Sequence, residues 1–78
     1  MSRQAVLVVL ERAANDITFF GQLANDPQVA LKDFDLTSEE KVALTIGDVG
    51  FIESRTGKKL DEKVMKKVII PLLSRERW

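Results

Sequence analysis

Signals that end one helix and start the next recur every ten to thirteen residues in this chain: Asn15-Asp16, Asp26-Pro27, Thr37, Gly47-Asp48, and Gly57 with Asp61. A chain punctuated this often has no room for a long coiled coil, so its apolar residues must be buried by packing several short rods around one centre. Each signal has its own chemistry. Asp and Thr side chains accept hydrogen bonds from unpaired N–H groups of a first turn, Pro27 suits a first helical position, and Gly47 and Gly57 suit left-handed stops. Thr37-Ser38-Glu39-Glu40 has the spacing of a capping box, the strongest local signal here.

Between the signals the apolar residues recur at helical spacing. Ser2 is expected to cap a first helix that buries Val6, Leu7, Val9, Leu10, Ala13 and Ala14 and leaves Val8 outside. A second helix should turn Ile17, Phe20, Leu23 and Ala24 inward, with Gly21 marking a close helix approach. A third, running to about Phe34, should bury Ala30, Leu31 and Phe34. The fourth is expected to bury Val42, Ala43 and Ile46, and the fifth carries Val49, Phe51 and Ile52. Asp61 opens a sixth with Leu60, Val64, Met65, Val68, Ile69 and Leu72 on one side, and Pro71 should kink or stop it near Ile70. The expectation is all-α: a compact bundle of five or six short helices in one domain over residues 1–78.

Composition enters through what it removes. With no Cys, His or Tyr among the 78 residues, disulfides, thiol nucleophiles, imidazole bases and most zinc or copper sites are excluded. The first apolar run, Ala5 to Leu10, is too short for a signal peptide or a spanning helix, so no membrane span is expected and the chain reads as cytoplasmic. Asp33 with Asp35 and Glu39 with Glu40 are paired carboxylates that invite a catalytic reading. Position in or before a first turn explains them better. Gly57-Lys58-Lys59 ends like a phosphate-binding loop but lacks its upstream Gly and strand, and reads as a helix stop with solvated lysines. No cofactor or metal is expected, and the chain does not read as an enzyme.

Charge is balanced overall yet strongly divided. Residues 1–54 carry four basic and nine acidic side chains, whereas residues 55–78 carry eight basic and three acidic ones. The two parts can attract each other within one fold. Nucleic acid is a poor match to a net charge of zero without exposed aromatics. Lys63, Lys66 and Lys67 share the polar side of the last helix, and Ile70 and Leu73 point toward them, with Trp78 beyond. Apolar side chains beside basic ones are what an anchoring surface needs, so these six are the candidate partner-binding residues. The partner expected is a larger protein, and self-association stays open.

The ordered residues Phe19-Phe20, Leu23, Asp26-Pro27, Ala30-Leu31, Phe34, Leu36-Thr37-Ser38-Glu39-Glu40, Ala43-Leu44, Gly47-Asp48 and Ile52 resemble the LigA-like helical domain. That family is named for the small subunit of protocatechuate 4,5-dioxygenase, and related domains lead ribosomally made modified peptides, including split borosin precursors. The resemblance covers about residues 15–57. It implies a non-catalytic domain that docks on a separate enzyme, either as an accessory subunit or as the leader of a precursor peptide. In the second case residues 60–78 would be the substrate of a separate modifying enzyme such as a backbone N-methyltransferase.

Overall fold

The computed structural model describes residues 2–74, and those residues form an all-α bundle with no strand among them. Five helices precede the last rod: α1 (Ser2–Asn15), α2 (Ile17–Asn25), α3 (Pro27–Leu31), α4 (Ser38–Ile46) and α5 (Val49–Thr56). The sixth rod is continuous but composite, with α6 (Glu62–Val64), a π-helical segment (Met65–Ile69) and α7 (Ile70–Ser74). Arg75 to Trp78 lie outside the described residues, as does the side chain of Ser2, the cap expected for α1.

The caps fall where their chemistry places them. Asp16 accepts from the N–H groups of Thr18 and Phe19, Asp48 from Phe51, and Asp61 from Val64. At the start of α4 the box is complete: Glu40 N–H donates to Thr37 Oγ1 at 3.1 Å, and Thr37 N–H to Glu40 Oε1 at 2.9 Å. Asp26 departs from expectation, because its side chain makes no capping bond and Pro27 alone opens α3. That helix also ends at Leu31, short of Phe34, where a turn closed by Phe34 N–H to the Leu31 carbonyl takes over.

Helix α1 is the centre of the bundle, packing against α2, α4, α5, α6 and the π segment. Its Val6, Val9, Leu10, Ala13 and Ala14 are buried and Val8 is exposed, as its periodicity predicts, whereas Leu7, also expected inside, is only half-buried. Leu23, Leu31, Leu44, Ile52, Val68, Ile69 and Leu72 close around them.

Two inner faces differ from the sequence reading. On α2 the expected Ile17 is 86% exposed, and Phe19 is buried in its place beside Leu23. Ile17 is the first helical residue after the Asp16 cap, so its side chain projects off the end of the rod rather than over a neighbour. Phe19 instead meets Phe34 edge to face, ring centres 6.0 Å apart. Phe20 and Phe34 are partly buried against the core. On α4 the buried residues are Glu40, Ala43 and Leu44, whereas Val42 and Ile46 are exposed. Turning Glu40 inward rotates the helix and sends those two side chains out. Gly21, expected at a close approach, faces open space, with nothing within 4 Å of where a Cβ would stand.

Pro71 neither stops nor breaks the last helix. The five residues before Ile70 are wound as a π segment, in which Ile70 N–H reaches back to the Met65 carbonyl. A wider turn eases the meeting of a proline ring with the carbonyl four residues earlier, and α7 continues past it. Leu72 is thereby held in the core.

Candidate functional site

The last rod divides the residues predicted to bind a partner. Ile70 and Leu73 are about half exposed, at 50% and 51%, while Leu72 between them is buried. Lys66 and Lys67 are exposed one turn earlier, and Lys66 Nζ lies 3.1 Å from Glu62 Oε2. An exposed ion pair of that kind contributes little and leaves the lysine available. Lys63 is directed elsewhere: its ammonium donates to Asn15 Oδ1 at the end of α1. Trp78 lies outside the described residues.

A feature the sequence reading missed lies next to Leu73. Gly47 ends α4 with φ of 77°, and a Cβ at that position would stand 3.5 Å from Leu73 Cδ2. Leu73 therefore covers the residue that follows Ile46. Ile46 and Val42, spaced one turn apart, also border a groove of about 280 Å³ whose other wall is Pro27 and Leu31. Exposed apolar side chains therefore stand on both helices that meet at Gly47, Val42 and Ile46 on α4 and Ile70 and Leu73 on α7, with exposed Lys66 and Lys67 one turn before Ile70.

The α4–α5 side is held by an ion pair. Glu40 is 1% exposed, and its Oε2 has no hydrogen-bond donor, but Arg55 Nε lies 3.2 Å away without hydrogen-bond alignment. Compensation of that buried oxygen is thus Coulombic. The Arg55 guanidinium also lies over the Phe51 ring, 5.0 Å from its centre. Glu40 is already bound twice, by the box and by Arg55, which fits a structural role rather than acid–base chemistry.

On α1 lies a second concavity, a cleft of about 620 Å³ between that helix and the segment from Lys58 to Val64. Its far wall is fixed by three bonds. Leu60 N–H donates to Glu53 Oε2 at 3.0 Å, Thr56 Oγ1 has the Lys58 carbonyl as a second acceptor at 3.3 Å, and Asp61 caps α6. Leu7, Leu10, Ala14, Leu60 and Val64 give it an apolar lining, and Lys58, Lys59 and Lys63 border it. Lysines read from the sequence as solvated thus stand at the edge of a shaped site.

Among the described residues no three His, Cys, Asp or Glu side chains gather as a metal site, and no helix is long and apolar enough to cross a membrane. Comparison of the chain with protein-family models, with the curated proteins and with the solved structures found no match.

Proposed function

We propose that this chain is a non-catalytic docking domain, an accessory or small subunit that binds a larger cytoplasmic protein, an enzyme in the first instance, through the apolar surface at the α4–α7 junction. The observation that carries the reading is the exposure of Val42, Ile46, Ile70 and Leu73, each 44% exposed or more, on the two helices that meet at Gly47, with Val42 and Ile46 bordering a groove and exposed lysines one turn before Ile70. Apolar side chains grouped in this way stand to gain from removal from water on association, and neighbouring cations speed and orient the encounter. The resemblance of residues 15–57 to the LigA-like domain supports the same role, since docking is what such domains do.

The burial of Val64, Val68, Ile69 and Leu72 favours a subunit over a precursor peptide. An enzyme that modifies the backbone needs an extended, reachable segment, and unwinding this one would pull Val64, Val68, Ile69 and Leu72 out of the core. A photo-crosslinking residue placed at Val42 or Ile70 in the native host tests the proposal. Both positions should crosslink to the same larger protein, and peptides spanning residues 60–78 should have their unmodified masses. Methylated or otherwise modified peptides from that span would establish the precursor role instead.

A further inference from the structure

We infer that the cleft between α1 and residues 58–64 is a binding site for a single-chain amphiphile with an anionic head, a medium-chain fatty acid. The inference is independent of the docking surface, which lies on α4 and α7. Size is the first argument: about 620 Å³ falls within the range of small-ligand sites, and is large for a chain of 78 residues. Lining is the second. Leu10, Ala14 and Val64 form its buried floor, Leu7 and Leu60 are half-buried beside them, and apart from exposed Val8 the rest of the lining is polar, so the cleft offers apolar and polar surface side by side. The third is charge at the mouth.

Lys58, Lys59 and Lys63 border the cleft, and none of them makes an ion pair among the described residues. Lys63 is held by Asn15, a neutral partner that leaves its charge uncompensated. Two carboxylates also line the site. Asp61 is occupied in capping Val64 N–H, and Glu11 opposes the lysines from α1. Three ammonium groups against two carboxylates leave one net positive charge at the cleft, which favours an anionic head over a cationic one. A free phosphate or a short carboxylate would use the lysines and leave the apolar lining in water. An alkyl chain ending in a carboxylate uses both.

Titration of the protein with octanoate and decanoate below their micelle-forming concentrations, followed by amide chemical shifts and calorimetry, tests the assignment. Binding should saturate at one to one, with shifts on α1 and residues 58–64. Two additional methylenes should tighten it about tenfold, the gain expected when they leave water. Replacing Lys58, Lys59 and Lys63 together with Ala, all at exposed positions, should weaken decanoate at least tenfold, and Glu11→Gln should strengthen it. Lys67→Ala, outside the cleft, should change nothing. Four results would overturn the assignment: no saturable shifts, shifts that map to Val42, Ile46, Ile70 and Leu73, decylammonium binding as tightly as decanoate, or inorganic phosphate reproducing the shifts.

Discussion

Glu40 shows how one residue sets both a helix start and a helix orientation. Its Oε1 accepts from Thr37 N–H, and its buried Oε2 depends on Arg55. Replacing Arg55 with Ala should cost about 1 to 3 kcal/mol, less than loss of a fully buried partner because the Arg55 side chain is 38% exposed. Thr37→Ala should cost about 0.5 to 2 kcal/mol through the cap. Urea denaturation reads both, and an Arg55→Ala protein as stable as the parent would show that Oε2 needs no compensation. The box was legible because its partners are three residues apart. Arg55 was not, since nothing local says which basic residue a folded chain will bring to a given carboxylate. The aromatics make the same point. Phe19→Ala should cost about 3 to 5 kcal/mol and more than Phe20→Ala, the reverse of what spacing from Ile17 suggests.

Helix boundaries were largely readable, and helix faces less so. The starts of α2, α4, α5 and α6 follow from Asp16, Thr37, Asp48 and Asp61, because capping is chemistry between near neighbours. Which side turns inward depends on what packs opposite, and on α4 the inward pull of Glu40 displaced Val42 and Ile46. Of the kink or stop expected at Pro71, the stop does not occur, for a related reason: the cost of a proline assumes a regular α-turn before it, and the π segment ending at Ile69 changes that turn. Glycines provide a sharp comparison. Gly21 lies within α2 with open space around it, so Gly21→Ala should stabilise by about 0.5 to 1 kcal/mol. Gly47 has φ of 77° with only ordinary contacts around an added Cβ, so Gly47→Ala should destabilise by about 1 to 2 kcal/mol through the backbone alone. Thermal melts of the two variants should shift in opposite directions, and equal shifts would contradict either the helical placement of Gly21 or the left-handed conformation of Gly47.

The assembled bundle brings together what the linear chain separates. The end of α4 meets the C-terminal rod at Gly47, and Lys58 and Lys59 meet α1 across a cleft, over sequence separations that no local pattern reports. The candidate surface was therefore half legible: Ile70 and Leu73 could be read from helical spacing, but their neighbours on α4 could not. Lys63 was placed on the correct helix, yet its bond to Asn15 assigns it to the cleft. If the α4–α7 surface is where the domain docks, polar substitutions there should spare the fold and remove the interaction. The decisive quantity is the affinity of the Ile46→Ser, Leu73→Ser double variant for the protein crosslinked through Val42 and Ile70, measured on material whose helical circular dichroism matches the parent. The docking account predicts a loss of at least tenfold, since about 1.4 kcal/mol suffices for that factor and two half-exposed aliphatic side chains leaving water supply more. Undiminished affinity in the folded double variant would contradict it.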